Sequence, residues 1–207
     1  MKVLLINGSP HEKGTTYTAL KKAADTLESL GIEAEIFHVE KLATTCIDCR
    51  VCKKKQNNRC AFDDSVNRAL EKAETADGFI FGTPVHFASA CGLMTAFMDR
   101  LFYAGRSLFC HKPAAAISCA RRAGTTATMD QMNKYMTINE MPVVSSQYWN
   151  MVHGSVAEDA PKDEEGMQTM ETLAKNMAWL LKCIEAGRKA GICPPEEVPA
   201  VKTNFIR

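Results

Sequence analysis

Near its start the chain reads Lys2-Val3-Leu4-Leu5-Ile6, followed at once by Asn7-Gly8-Ser9-Pro10. A short, continuous apolar run is typical of a strand that is buried on both faces of a parallel sheet. The glycine and proline end this strand, and from Thr16 to Leu30 apolar residues recur at helical spacing until Gly31. A buried strand followed directly by an amphipathic helix is the first unit of an α/β fold.

The same alternation continues along the chain. Further strands are predicted at 32–39, 78–81, 114–119 and 142–144, and helices at about 63–75, 89–103, 126–139 and 164–188. The last helix carries a row of apolar residues that we expect to pack on the sheet, namely Met167, Met170, Ala174, Met177, Leu181 and Ile184. The pattern predicts a three-layer α/β fold with a five-stranded parallel sheet in the doubly wound order 2-1-3-4-5.

Composition and charge exclude several classes of protein. The chain has 207 residues, of which 46% are hydrophobic and 24% charged, as expected of a folded globular domain. Its formal net charge of +1 provides no bulk field for nucleic acid or an anionic membrane. The first apolar run is too short for the core of a signal peptide. We therefore expect a cytoplasmic protein that binds neither nucleic acid nor a membrane.

Two segments stand outside the alternating pattern. Residues 44–62 form a basic, cysteine-rich insertion, here called the cysteine loop, and residues 189–207 contain three prolines. We predict a single domain over 1–188 that includes the cysteine loop, followed by a tail that leaves the domain surface.

Three loops are expected to meet where the sheet reverses direction. In the order 2-1-3-4-5 the ligand site lies beyond the carboxyl ends of the strands, between strands 1 and 3. The loops that reach this point are residues 7–16, 82–89 and 119–125.

The first loop has the composition of a phosphate site. Small and hydroxyl residues there join a buried strand to a helix N-terminus, where unpaired N–H groups and the helix dipole both favour an anion. The loop lacks both the GxGxxG pattern and the GK[ST] pattern, so a monophosphate fits better than a dinucleotide or a triphosphate. The plainer alternative is an ordinary turn with a threonine as N-cap. The candidate residues are Ser9, Pro10, His11, Gly14, Thr15 and Thr16.

The other two loops offer a surface for a flat ring. Pro84 fixes the backbone beside Val85 and His86, and the third loop supplies a cation and a tight turn. The plainer alternatives are a surface histidine and a solvated connection. The candidate residues are Pro84, Val85, His86, Phe87, Ala88, Ala120, Arg121 and Gly124.

The sharpest motif is the spacing Cys46-x2-Cys49-x2-Cys52-x7-Cys60. Three cysteines at successive two-residue spacing, with a fourth returning later, can converge on one metal centre. The spacing favours an iron–sulfur cluster, while structural zinc, which more often uses two separated pairs, and unligated or disulfide-linked thiols stay open. The surrounding basic residues are either a solvated surface or a docking site for an acidic electron donor or an anionic pyridine nucleotide; they are Arg50, Lys53, Lys54, Lys55 and Arg59.

No nucleophile–base–acid motif is present, and His38, His111 and His153 show no ligand spacing, so we name no catalytic residue and expect these histidines to be structural. Taken in order, however, the motifs resemble those of the iron–sulfur flavoproteins within the NADPH-dependent FMN reductase family of flavodoxin-like proteins. The resemblance covers about residues 1–188. It is carried by Gly8-Ser9-Pro10 with Gly14-Thr15-Thr16, the cysteine motif with Asp63-Asp64, Thr83-Pro84-Val85-His86-Phe87, Met98-Asp99-Arg100, Arg121-Arg122-Ala123-Gly124 and Glu165-Gly166-Met167-Gln168-Thr169.

The resemblance implies FMN as cofactor, with its phosphate in the first loop and its ring against the other two. It also implies a [4Fe-4S] cluster on the four cysteines, NAD(P)H as an electron donor, and homodimers or tetramers in which each flavin lies near a subunit interface. His86 stands where the family usually has tyrosine, and His11 and Thr15 stand where it usually has arginine and asparagine.

These observations predict a redox protein that transfers electrons through FMN, with a [4Fe-4S] cluster and a ferredoxin as a candidate partner. One alternative is a cluster-free NAD(P)H-dependent FMN or quinone reductase. Another is a non-enzymatic binding protein with a structural zinc. We also expect Tyr148-Trp149-Asn150, which follows the predicted fifth strand, to pack in the dimer or beside the flavin of a partner subunit. The alternative is a tryptophan on the surface or in the core of its own subunit.

Overall fold

Five parallel strands form the centre of the fold in a computed structural model of the chain. The strands are β1 (Lys2–Asn7), β2 (Glu33–His38), β3 (Gly78–His86), β5 (Ala114–Ala120) and β6 (Met151–His153), and a short β4 (Ser89–Ala90) pairs antiparallel with β3. The order across the sheet is β2-β1-β3-β5-β6, which confirms the predicted topology. The structure describes residues 1–196 and the single residues Val201, Thr203 and Phe205, so the end of the predicted tail lies outside the described residues.

The described residues form six α-helices. They are α1 (Thr15–Ser29), α2 (Val51–Lys55), α3 (Ser65–Ala73), α4 (Gly92–Gly105), α5 (Thr125–Ile138) and α6 (Glu164–Lys189), and short 3-10 helices span Arg106–Leu108 and Ala157–Lys162. None of the described helices combines the length and the apolar character that crossing a membrane requires.

Alternate residues of each central strand face two separate cores. On β1, Val3 and Leu5 face a core built with α1 and α6, while Leu4 and Ile6 face a core built with α3, α4 and α5. This arrangement confirms the three-layer fold. The apolar row of α6 packs on the sheet as predicted, except that Ile184 at its end is 42% exposed.

The prediction of the fifth strand at 142–144 was wrong in its position. Residues 142–144 make only a bridge from Val143 to Ala114 at the start of β5. The chain then leaves the sheet and returns at β6, which pairs with Ser118–Ala120. Two separate segments therefore pair with β5 at this edge of the sheet. Residues 142–144 lie at its amino end, and β6 lies at its carboxyl end.

The third strand is longer than predicted. β3 continues through His86 and turns back at Phe87 and Ala88, whose φ angles are 51° and 58°. Two consecutive left-handed residues close a tight hairpin, so β4 occupies the positions that the sequence pattern assigned to the start of the next helix. Helix α4 consequently begins at Gly92 and not at residue 89.

Candidate functional site

The carboxyl ends of β1, β3 and β5 open onto a cleft of about 900 Å³. Eleven of the fourteen predicted cofactor-binding residues line it: Ser9, Pro10, His11, Gly14, Thr15, Thr16, Pro84, Val85, His86, Ala120 and Arg121. The structure therefore brings all three predicted loops to one cavity, at the point where the strand order reverses.

Buried hydrogen bonds fix the shape of the first loop. The side chain of Asn7, at the end of β1, donates to the carbonyl of Glu12 at 2.9 Å and accepts from the backbone N–H of Ser9 at 3.1 Å. The hydroxyl of Ser9 accepts from the backbone N–H of His11 at 3.1 Å. The ring Nε2 of His38 lies 2.9 Å from the carbonyl oxygen of Ser9, so this histidine is structural as predicted. The loop is thus held in shape by the protein itself.

The first turn of α1 presents unpaired backbone donors to the cleft. Gly14 is the N-cap of this 15-residue helix, and no side chain of the described residues caps it. The buried hydroxyl residues Ser9 and Thr16 line the same end of the cleft. Free N–H groups at a helix N-terminus, together with hydroxyl groups, suit a phosphate.

Cys119 lies on the floor of the cleft but is not a candidate nucleophile. Burial raises the pKa of its thiol to about 12, although its hydrogen bond with the side chain of Thr16 partly offsets this effect. Because the thiolate is the reactive form, the thiol of Cys119 is inert at neutral pH.

Three predicted cofactor-binding residues do not line the cleft. Phe87 is fully exposed at the tip of the β3–β4 hairpin. Gly124 has a φ of 90°, and a Cβ atom there would lie 2.6 Å from the Cα of Ala88 and 2.9 Å from Cγ1 of Val85. Gly124 and Ala88 therefore pack the third loop against the hairpin behind the wall of the cleft.

One wall of the cleft was missed by the sequence analysis. Residues 154–158 follow β6 and line the cleft opposite the hairpin. Gly154 lies close to the start of α1, since a Cβ there would be 3.4 Å from Cγ2 of Thr15. Asp159 accepts from the backbone N–H of Ser155 and Val156 and shapes this segment. Correct placement of the fifth strand would have identified residues 154–158, because the loop after every parallel strand reaches the same edge of the sheet.

The four cysteines of the motif line a second, smaller pocket. Cys46, Cys49, Cys52 and Cys60 share its walls with Arg100 and Tyr103 of α4. Among the described residues, no three of these sulfur atoms lie within 4.8 Å of one another. Four thiolates on one zinc ion would stand roughly 3.8 Å apart, given Zn–S bonds of about 2.3 Å. The pocket is therefore too wide for a single tetrahedral ion without rearrangement.

Arg100 is buried beneath this pocket and connects the two ends of the cysteine loop. Its guanidinium donates to the carbonyl of Thr44 at 3.0 Å, before the motif, and to the carbonyl of Phe62 at 3.1 Å, after it. Its Nε lies 3.3 Å from Sγ of Cys60. The side chain is 1% exposed and pairs with Asp64. A fixed positive charge thus lies directly under one of the four sulfur atoms.

Asp64 and Asn67 complete the base of the pocket. Burial alone would raise the pKa of Asp64, but hydrogen bonds from Arg100 and from the backbone N–H groups of Ala43 and Val66 outweigh it and hold this pKa below its usual value. The side chain of Asn67 accepts from the N–H of Cys60 at 2.8 Å and donates to its carbonyl at 3.1 Å. Cys60 is therefore held rigidly, while Cys46 and Cys49 lie on an exposed segment.

Comparison with known proteins places the chain in a family. The sequence profile of NADPH-dependent FMN reductases matches residues 1–155. An iron–sulfur flavoprotein of Methanocaldococcus jannaschii is 30% identical over 196 residues, which is 89% of this chain and 100% of that protein. An iron–sulfur flavoprotein of Methanosarcina thermophila is 28% identical over 91% of this chain and 99% of its own length.

Solved structures show the same fold at low sequence identity. RosB, solved with bound 8-demethyl-8-formylriboflavin 5′-phosphate, has a TM-score of 0.69 and 16% identity, covering 99% of this chain and 92% of its own. A flavodoxin from the Archaea has a TM-score of 0.59 and 14% identity, covering 88% of this chain and 99% of its own. The chain therefore belongs to the NADPH-dependent FMN reductase family, and it is a flavin-dependent oxidoreductase with a flavodoxin-like fold.

Proposed function

We propose that this chain transfers electrons between a reduced donor and an acceptor through FMN bound in the cleft, and that Cys46, Cys49, Cys52 and Cys60 hold a [4Fe-4S] cluster. The observation that carries the proposal is the convergence of four cysteines on one pocket, beside a buried arginine whose Nε lies 3.3 Å from Sγ of Cys60. Family membership supports the flavin part, and the names of the two relatives that span the chain support the cluster.

The residues of the cleft divide into two groups by the part of FMN that they suit. Ser9, Thr15, Thr16 and the first N–H groups of α1 suit the phosphate, because they combine hydroxyl groups with unpaired donors. Val85 and His86 on one side, and Ala120 and Arg121 on the other, suit the flat ring. When bound, the flavin supplies the redox chemistry, and it exchanges one or two electrons. The protein's part is to bind and orient it, so no side chain is assigned as an acid or a base.

The four cysteines and the arginine of the pocket suit an iron–sulfur cluster. Arg100 supports this fit, since its Nε is placed to donate to a bound thiolate of Cys60. Hydrogen bonds to the sulfurs are one of the means by which proteins set a cluster's potential. A structural zinc at these cysteines is the less favourable interpretation.

The cleft and the cysteine pocket lie at opposite ends of α4. At its start, Cys91 donates from Sγ to the carbonyl of Gly8 at 3.1 Å, next to the phosphate loop. At its other end, Tyr103 lines the cysteine pocket. The axis from Gly92 to Tyr103 measures roughly 16 Å at about 1.5 Å per residue.

The surface of the cysteine loop supports an acidic protein as electron donor. Helix α2 carries three exposed lysines, Lys53, Lys54 and Lys55, beside Cys52. Lys53 also lies 4.5 Å from the centre of the ring of Tyr103. A small acidic ferredoxin is the partner that this charge would attract. The alternative donor is NAD(P)H at the flavin cleft, where Lys13 and Arg121 are the exposed cations.

The test is anaerobic purification and reconstitution with iron and sulfide. We expect about four irons and one FMN per chain, with the paramagnetic signal of a reduced cubane. Cys49→Ser should lose the iron and the signal and keep the FMN. Cys183→Ser, which changes an exposed cysteine of α6, should keep both and serves as the control. If wild-type protein takes up no iron but still reduces FMN with NAD(P)H, the cluster-free reductase replaces this proposal.

A further inference from the structure

A second group of metal-binding side chains lies outside both sites. Cys110 and His111 come just before β5, and Glu140 follows α5, so the group lies at the amino end of the sheet, away from the flavin cleft. One ligand atom from each of the three residues lies within 4.8 Å of the other two. Within the described part of the chain, no other set of three such side chains meets this condition.

Two of the three donor separations match a single tetrahedral ion. Oε2 of Glu140 lies 3.4 Å from Sγ of Cys110 and 3.8 Å from Nε2 of His111. Around a tetrahedral zinc, donors stand roughly 3.3–3.8 Å apart, given bonds of about 2.0–2.3 Å. The same carboxylate oxygen therefore faces both the thiol and the imidazole at the separations that zinc requires. The four cysteines of the loop, by contrast, are too far apart for this.

The neighbouring residues hold the carboxylate in this orientation. Arg106 donates to the other oxygen of Glu140, Oε1, at 3.1 Å, which leaves Oε2 turned toward the two donors. The backbone N–H of His111 donates to the carbonyl of Glu140 at 3.2 Å and ties the two segments together. A ligating carboxylate whose second oxygen is hydrogen-bonded is the usual arrangement around protein-bound metals.

An open pocket adjoins the three side chains. Its walls include Cys110, His111 and Glu140, and on the far side Cys52 and Lys53 of the cysteine loop. Among the described residues, these three side chains supply three of the four ligands that a tetrahedral zinc ion takes. One thiolate, one imidazole and one carboxylate favour zinc over calcium or magnesium, which prefer oxygen ligands alone.

We propose that Cys110, His111 and Glu140 bind one Zn²⁺ ion and supply three of its ligands. On binding, the thiol of Cys110 gives up its proton to solvent and coordinates as the thiolate. The site does not depend on the flavin or on the cluster. One consequence is that zinc in the purified protein is no sign that zinc occupies the cysteine loop.

The test separates this site from the cysteine loop by mutation. A full-length variant with Cys46→Ser, Cys49→Ser and Cys52→Ser together has no chelating set in the loop. By equilibrium dialysis against zinc with elemental analysis, this variant should still bind one zinc per chain. X-ray absorption at the zinc edge should report one sulfur among lighter nitrogen and oxygen neighbours.

Adding Cys110→Ser or His111→Ala to that variant should weaken zinc binding by more than about 100-fold, which is the upper range for loss of a residue that merely supports a ligand. Adding Cys183→Ser should change nothing. In the otherwise wild-type chain, Cys110→Ser should leave iron content and FMN binding intact. Failure of the zinc proposal is therefore distinguishable from failure of the proposed function. Zinc binding that survives Cys110→Ser, or that is absent from the triple variant, overturns the proposal.

Discussion

The guanidinium of Arg100 forms a bidentate ion pair with the carboxylate of Asp64, at 2.7 Å from Nη1 to Oδ2 and 3.0 Å from Nη2 to Oδ1. Both side chains are at least nine-tenths buried. The pair connects the middle of α4 to the N-cap of α3, with the cysteine loop held between them. Together with the bonds from Arg100 to Thr44 and Phe62, it ties both ends of the largely exposed loop to the folded core.

Arg100→Met should destabilise the protein strongly. The change leaves a buried carboxylate without its partner, and removing one member of a buried pair costs about 3–5 kcal/mol of unfolding free energy. The matched control is Arg68→Met, because Arg68 pairs with Glu40 on the surface, where both side chains are at least half exposed. That change should cost less than about 1 kcal/mol. Urea unfolding measures both, and equal losses would contradict the structural role of Arg100.

Asp64 should also make the protein less stable in acid. The pKa of Asp64 is lowered in the folded state. Its contribution to the free energy of unfolding is therefore complete above the ordinary aspartate pKa of about 3.9 and is lost as the pH falls through the lowered value. The free energy of unfolding should therefore fall more steeply with acid in the wild type than in Asp64→Asn. Other carboxylates with lowered pKa values are common to both proteins and cancel in the comparison; they are Glu35, Glu40, Asp48, Asp159, Glu171 and Glu185. Parallel pH profiles for the two proteins would contradict the assignment.

The periodicity of apolar residues was sufficient to predict the layers, the strand order and the three loops of the cleft. It was not sufficient for the edge of the sheet. Pro142-Val143-Val144 is more apolar than Met151-Val152-His153, yet the second segment reaches the carboxyl end. Edge strands are short and partly exposed, so composition distinguishes them poorly from extended loops. The wall at residues 154–158 was missed for this reason.

The sequence pattern also failed to predict the left-handed backbone of the hairpin and the burial of a charged side chain. Nothing in the sequence around Phe87 shows that this residue and Ala88 take left-handed φ angles, which turn the aromatic ring away from the cleft. Arg100 follows Asp99 on a helix, where charged residues normally face solvent. Only its contacts with Thr44, Phe62 and Asp64, from distant parts of the chain, show it to be buried.

Thr16→Val should weaken FMN without unfolding the protein. The change is nearly isosteric and keeps the contact of the Thr16 methyl group with Gly82, but it removes a buried hydroxyl from the phosphate end of the cleft. We expect FMN binding to weaken by about 1–3 kcal/mol, the scale of a hydrogen bond to a charged group. Riboflavin, which has no phosphate, should be little affected. Thr26→Val, on the same helix and also buried, is the control and should alter neither affinity. Equal losses for FMN and riboflavin would remove Thr16 from the phosphate site.

Gly124→Ala should disturb the flavin cleft through the hairpin. A non-glycine residue in the left-handed region costs about 1–3 kcal/mol, and here the new Cβ would also press on Ala88. Gly31→Ala isolates the first effect, because Gly31 has a φ of 78° but has no atom within 4 Å of the added Cβ. Both variants should lose stability by thermal unfolding, and only Gly124→Ala should lose FMN affinity by fluorescence titration. An unchanged affinity in Gly124→Ala would show that the hairpin does not position the flavin.

The segment Tyr148-Trp149 should form part of a homodimer interface. The two rings meet edge to face with centroids 4.8 Å apart, and their side chains are 50% and 56% exposed. Asn150, by contrast, is buried, and its carbonyl accepts from the N–H of Ser118 on β5 at 3.0 Å, so the aromatic pair is held in place by the sheet. Tryptophan and tyrosine are enriched among the hot-spot residues near the centres of interfaces, where truncation costs at least about 2 kcal/mol. Light scattering at micromolar concentration should show a dimer for the wild type and a shift toward monomer for Trp149→Ala. Trp179→Ala, which removes an equally exposed tryptophan from α6, should remain dimeric. A monomeric wild type, or dissociation by Trp179→Ala alone, would contradict the assignment of this surface.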